Sequence, residues 1–258
     1  MGIVNVTPDS FSDGGQFLDP EAAVEHGLEL AAQGAAVLDV GGASTRPGAE
    51  PVPVADELRR AVPVVERLAQ AGQRVSIDTT KREVAAAALD AGATLVNDVS
   101  AFRFAPEIAG LVADAGADCC LVHMRGEPRT MQVDPSYEDV VSEVTAFLEE
   151  RLRFAIAAGI GEERICLDPG IGFGKTVEQN FELVSRLDVL LRLGRPVLIG
   201  FSRKSSLGRV LGDQGARAGP LSASIAAAIA AYERGATILR VHDVKEHVEA
   251  LTVARAIA

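Results

Sequence analysis

Cysteine is scarce in this 258-residue chain: Cys119, Cys120 and Cys166 are odd in number and show no C-x-x-C spacing, which argues against a disulfide framework. Cys119 and Cys120 are adjacent in an apolar run, so buried reduced thiols are expected. Positive charge is also short. Lys and Arg number 25 against 36 Asp and Glu, a net charge of -11, which excludes an extended nucleic-acid footprint and leaves room only for a small anion in a local basic pocket. Long hydrophobic runs are missing. The longest uncharged stretch, residues 218–232, has about 15 residues before Glu233 and Arg234, short of the ~20 that a spanning helix needs. No charged segment followed by an apolar one opens the chain. The expectation is a cytoplasmic protein with no membrane or nucleic-acid partner. No linker or low-complexity tract divides it, and 48% hydrophobic with 24% charged residues is the composition of a globular core, so residues 1–258 read as one domain.

What is present is alternation. Eight apolar runs of strand length, at 2–6, 36–40, 74–77, 94–96, 119–122, 164–167, 196–199 and 238–241, alternate with amphipathic stretches at 20–32, 54–71, 82–91, 106–115, 137–158, 177–193, 222–234 and 244–258. Most helical stretches end at glycine (Gly34, Gly72, Gly92, Gly116, Gly159, Gly194 and Gly235), the residue that tolerates the positive φ of a helix C-cap. Strands separated by helices pair in parallel, and eight units close a barrel. The alternative is a doubly wound open sheet. Polar punctuation favours the barrel. Nearly every run ends in a residue able to do chemistry: Asn5, Asp39, Asp78, Asn97 with Asp98, His123, Asp168, Ser202 with Lys204, and Arg240 with His242. A single (β/α)8 TIM barrel gathers all eight endings at one active site on the C-terminal face.

The segments after these runs carry the candidate chemistry. NVTPDSFSDGG (5–15) supplies amide, carboxylates, hydroxyls and a phenyl ring on a loop with glycine hinges; alone it equally fits a polar turn. DVGGASTRPG (39–48) presents Thr45 and Arg46 before Pro47, a guanidinium suited to a carboxylate or phosphate unless it is merely solvated. Asp78, Asn97 and Asp98 close neighbouring strands with acceptors that suit a ligand rich in N–H groups, such as an aminated heterocycle. LDPGIGFGK (167–175) is neither a Walker loop nor a dinucleotide fingerprint; its glycines let backbone approach a flat ligand, with Phe173 as a wall. GFSRKSSLG (200–208) and RVHD (240–243) follow the seventh and eighth strands, the phosphate-binding positions of this barrel. They offer Ser202, Arg203, Lys204, Ser205, Arg240 and His242 to a polyanion, although a lone His242 also fits a capping or core role. No zinc-spaced His/Cys group or G-x-S-x-G elbow is present.

Assembled in this order, MGIVNVTPDSFSDGG, GGASTRPG, SIDT, VNDVS, HMRGEPRTMQ, LDPGIGFGKT, GFSRKSSLG and RVHD make the chain resemble the dihydropteroate synthase family over essentially its whole length. The resemblance implies a transferase of folate biosynthesis that joins 6-hydroxymethyl-7,8-dihydropterin pyrophosphate to p-aminobenzoate with Mg2+, the target of sulfonamides, working as a homodimer. It implies that Asp78, Asn97, Asp168 and Lys204 hold the pterin, and that Asn5, Arg240 and His242 hold the pyrophosphate, with Asn5 also on the metal. Phe11, Thr45, Arg46, Pro47, Phe173 and Ser205 would face p-aminobenzoate, and Asp13 would close over the reacting carbon. The catalytic set implied is Asp78, Asp13, Lys204, Arg240 and His242. One departure is visible: Ala43 stands where the family usually has glutamate. Two alternatives stay open at this point, a pterin-binding domain that passes a methyl group to a corrinoid and a non-catalytic pterin-binding paralogue.

Overall fold

The computed structural model describes residues 1–7, 20–44, 48–133 and 135–257. In chain order the described elements are β1 (Gly2–Asn5), α1 (Pro20–Ala32), β2 (Leu38–Gly41), α2 (Val54–Gln70), β3 (Val75–Asp78), α3 (Arg82–Asp90), β4 (Leu95–Asp98), α4 (Ile108–Asp114), β5 (Asp118–Val122), α5 (Val140–Ala157), β6 (Ile165–Asp168), α6 (Val177–Ser185), α7 (Leu187–Leu191), β7 (Leu198–Ile199), α8 (Ser205–Val210), α9 (Leu221–Glu233), β8 (Ile238–Leu239) and α10 (Val244–Ile257). Strands β1 to β6 pair in parallel in sequence order, and β7 pairs with β8. Parallel bridges Leu167↔Val197 and Gly2↔Val241 join the two sheets at both seams, so the eight strands close into the (β/α)8 barrel and no open edge is left to protect.

The period-two alternation of each strand divides the apolar residues between two layers. Leu95, Cys120, Val122, Cys166 and Leu198 fill the barrel interior together with Met1 and Ile238. Their strand neighbours Val40, Ile77, Val96, Leu121, Leu167 and Ile199 face outward against helix residues such as Leu68, Ile108 and Leu148. A leucine buried this fully contributes about 1.5–3 kcal/mol relative to exposure. The three thiols are buried and unpaired, as their apolar setting implied. All seven glycines expected to end helices have positive φ, between +59° and +105°.

Three local expectations need correction. The stretch 177–193 is two helices, because Arg186 leaves helical geometry (φ -110°, ψ 34°). Its guanidinium forks onto Asp139 at 2.7 and 3.1 Å, the residue that caps α5 by accepting from Ser142 N. The short helix α8 and a 3-10 turn at Glu162–Arg164 lie in segments whose apolar pattern is too brief to announce a helix. Among the described residues no helix is long and apolar enough to cross a membrane.

Candidate active site

Arg240, just past β8, is the pivot of the barrel mouth. Its Nε donates to Asp39 Oδ2 at 2.6 Å and one terminal nitrogen donates to Asp78 Oδ2 at 3.0 Å. Asn97 Nδ2 donates to the same Asp39 oxygen at 3.0 Å. Burial works against the guanidinium's charge, but Asp39 and Asp78 hold its pKa above the ordinary value. Strand register explains the assembly: Asn5, Gly41, Asp78 and Asn97 are consecutive Cα partners across β1 to β4. Four separate chain segments therefore deliver one row of side chains to one rim.

Burial dominates the electrostatics of this rim. It raises the Asp78 carboxyl to about 7 against the pull of Arg240, with Asp39, Glu57 and Asp98 adding to the rise. Asp39 Oδ1, Asp78 Oδ1 and Asn97 Oδ1 are buried with no hydrogen-bond partner. Such acceptors cost about 1–3 kcal/mol each when left unmatched, and three together form a face awaiting N–H donors. Asp168 closes β6, its Oδ1 accepting from Gly170 N at 2.7 Å, and burial raises its carboxyl. Lys204, the residue before α8, donates to Ile171 O and lies 4.4 Å from the Phe173 ring centroid. Burial lowers its ammonium to about 8, with Asp168 opposing.

A second group flanks the pivot. His242 N donates to Ser202 Oγ at 3.1 Å, and Ser202 Oγ lies 2.9 Å from His242 Nδ1. Where the hydroxyl gives its proton to Nδ1, Nε2 is the nitrogen that carries the ring proton. Arg203, held at positive φ (+57°), forks onto Asp243 at 3.1 and 2.5 Å. Ser205 opens α8 directly after Lys204.

The structure thus brings Asn5, Asp78, Asn97 and Arg240 together, joins Lys204 to Phe173, and ties His242 to Ser202. The expected roles of Phe11, Asp13, Thr45, Arg46 and Pro47 fall on residues outside the described ones. Two residues at the mouth had no role assigned from the sequence. Asp39 was visible as a strand-ending carboxylate, and the structure makes it the buried counter-charge of Arg240. Lys175 carried no recognisable signal. Asp98 turns inward to the chain: it accepts from Ser100 N at 2.6 Å and Phe102 N at 3.3 Å, where Ala101 and Phe102 have positive φ.

Residues 1–242 match the family model of pterin binding enzymes. The dihydropteroate synthase of Escherichia coli (strain K12) is 45% identical over 260 residues, covering 99% of this chain and 90% of that protein. Yersinia pestis dihydropteroate synthase, solved with a sulfonamide drug, superposes with a TM-score of 0.94 at 42% identity, over 100% of this chain and 93% of that one. The Xanthomonas albilineans dihydropteroate synthase with 4-aminobenzoic acid gives 0.90 at 51% identity, over 100% and 92%. A closed barrel with a carboxylate, amide and guanidinium mouth, matched over this length, belongs to the pterin-binding enzymes. Within them its place is among the dihydropteroate synthases, transferases of folate biosynthesis.

Proposed function

We propose that this mouth condenses 6-hydroxymethyl-7,8-dihydropterin pyrophosphate with p-aminobenzoate, giving 7,8-dihydropteroate and pyrophosphate by dissociative substitution. The observation that carries the reading is the set of unmatched buried acceptors on Asp39, Asp78 and Asn97 beside Arg240. An aminated bicycle supplies the missing donors. Asp78, Asn97, Asp168 and Lys204 hold it edge-on, and its N–H groups favour the ionised form of Asp78.

An arylamine is neutral near pH 7 and needs no strong base, whereas a diphosphate leaving a methylene carries charge that has to be absorbed. Arg240 and the Nε2–H of His242 hold that charge, and Asp78 with Asp13 stabilises the cation-like methylene. The methylene C–O bond breaks first, the arylamine nitrogen then bonds to that carbon, and the nitrogen sheds its extra proton to solvent. Fixed charges aimed this way commonly supply the largest catalytic term. Phe173 and Ser205, with Phe11, Thr45, Arg46 and Pro47, form the p-aminobenzoate side.

Magnesium fits as an ion that arrives with the diphosphate. Among the described residues no group of three His, Cys, Asp or Glu is placed to hold a metal, and Mg2+ keeps mainly water and phosphate oxygens with few protein ligands. Asn5 would supply an amide oxygen, since its Oδ1 stands next to side-chain-free Gly41. When bound, the ion neutralises charge on the leaving group.

Purified protein given both substrates and Mg2+ is expected to form dihydropteroate; pterin binding without turnover would favour a non-catalytic paralogue. We also infer a homodimer through the outer wall, where Val253 and Ile257 of α10 are 59% and 81% exposed, and a cytoplasmic setting for the reduced thiols.

A further inference from the structure

The loop between β6 and α6 closes one turn of its own, Phe173 N donating to Gly170 O at 3.0 Å, and every carbonyl from Gly170 to Gly174 accepts from a side chain. Lys175 Nζ donates to Gly170 O at 2.9 Å and to Phe173 O at 3.0 Å. Lys204 Nζ donates to Ile171 O, Gln132 Nε2 to Gly172 O at 2.7 Å and Tyr137 OH to Gly174 O at 2.8 Å. Alternating positive φ at Gly170, Gly172 and Gly174 (+71°, +82° and +67°) turns successive carbonyls outward to reach these donors. Lys175 takes two of the five. Its amine is 3% exposed as a residue and forms no ion pair among the described residues; its third contact is His123 Nδ1 at 2.8 Å.

His123 is shaped for that one task. Its ring meets Phe147 edge-on at 4.8 Å, and burial, then Lys175, push its pKa down to about 2, so it stays a neutral acceptor. The loop is pressed onto the same strand end: a Cβ at Gly170 would stand 1.8 Å from His123 O. The amine reaches Gly170 O, Phe173 O and His123 Nδ1 within 3.0 Å and His123 O at 3.5 Å, and although burial lowers its pKa well below the usual lysine value, these contacts fix the loop from beneath. What the loop presents above is the pterin side of the mouth, namely Gly170 N on Asp168, Ile171 O on Lys204 and the Phe173 ring against Lys204.

We infer that Lys175, seated on His123, is a positioning residue that shapes the Gly170–Phe173 turn and through it the placement of Lys204 for the pterin. The inference rests on the proposed dihydropteroate synthesis and adds a residue that touches no substrate.

The test compares wild type with Lys175→Met, which keeps the chain's length and removes its donors. With steady-state synthesis of dihydropteroate, KM for the pterin pyrophosphate is expected to rise about tenfold or more, since small misplacements of binding groups have effects of that size. The change in kcat should stay under about threefold, and 6-hydroxymethylpterin should bind correspondingly more weakly by fluorescence titration. A purely structural defect would do the opposite, lowering kcat with the active fraction and leaving KM alone. His123→Leu should repeat the KM effect. His123→Asn, whose Oδ1 occupies the place of Nδ1, should recover most of it. In the wild type, NMR of His123 should show a neutral ring from pH 5 to 8. An unchanged KM and pterin affinity in Lys175→Met, or a His123 resonance titrating near its ordinary value, overturns the inference even if the variants fold poorly. Failure of the wild type to make dihydropteroate counts instead against the functional reading.

Discussion

Replacing Asp78 by asparagine should make the protein more stable at alkaline pH and much worse at its chemistry. The native carboxyl ionises at about 7 because burial outweighs Arg240, whereas the unfolded chain ionises it near the ordinary 3.8. Between those values the folded state binds more protons than the unfolded state, so stability falls as pH rises through this window. Above pH 7 the ionised group costs on the order of 4 kcal/mol. Asparagine avoids that cost. Arg240's pull on the carboxylate is already contained in that native value, and in the variant the amide oxygen still accepts while Asp39 still pairs the guanidinium at 2.6 Å. The net expectation is a gain of about 2–4 kcal/mol at pH 8, or roughly 4–16 °C in Tm for a chain of this size, shrinking toward nothing as pH falls into the ordinary carboxylate range.

Thermal unfolding of both proteins from pH 5 to 8 reads this difference, together with a smaller shift of Lys204, whose ammonium loses the support of the Asp78 charge. Pterin affinity should fall about 10- to 150-fold, the value of one hydrogen bond to a charged group. Opposite signs for stability and affinity are the signature of a residue kept for function at the expense of the fold. A variant that is less stable than wild type at pH 8, or that binds pterin as before, refutes the reasoning.

His242→Ala should lower kcat about 100-fold with little change in Tm, since the ring is only partly buried; unchanged kinetics removes it from the anion site. Lys204→Met should also stabilise the fold at pH 7, because burial lowers the native ammonium to about 8. That advantage should close as pH rises from 8 toward 10.5, where the unfolded lysine also loses its proton, and equilibrium unfolding at pH 7 and 10 checks the sign. Gly170→Ala puts a methyl 1.8 Å from a backbone carbonyl at φ +71°, so a loss of about 3 kcal/mol, or roughly 6–12 °C, is expected by calorimetry. Val253→Glu with Ile257→Glu should shift the protein to monomer in sedimentation if α10 forms the dimer face, with activity per chain as its companion measurement.

Much of this site was legible because a parallel barrel converts strand endings into neighbours. Asn5, Asp78 and Asn97 each close an apolar run, and that pattern alone predicts a shared rim. The contacts themselves were not legible. Asp39 and Arg240 are separated by 201 positions, and only barrel closure through the Gly2↔Val241 bridge brings the last strand beside the first and its arginine within reach of the second. His123 read as a candidate for chemistry and Lys175 did not, yet the structure seats the one on the other at 2.8 Å. The break at Arg186 depends on a carboxylate 47 residues earlier, which no local propensity encodes. Apolar periodicity fixes which face is buried, while long-range polar pairs settle what each buried charge does.

The rim row also explains why the mouth suits a flat ligand. Continued past Asn97, the register passes to Cys120 on β5 and Cys166 on β6, so one side of the row is amide and carboxylate and the other is thiol. Asp168 lies two residues further along β6 than Cys166, and alternation points it to the same interior. In the proposed function polar groups from Asp78, Asn97 and Asp168 would meet the ligand's edges, while the apolar cluster of Cys120, Cys166 and Leu198 lies beneath. Gly41 keeps the row open between Asn5 and Asp78: a methyl there would make only ordinary contacts at 3.7–3.9 Å, but any longer side chain would enter the space beside Arg240. A planar ring with donors on its edge and an anion at one end satisfies each of these constraints, whereas a sugar has neither the flat face nor the charge.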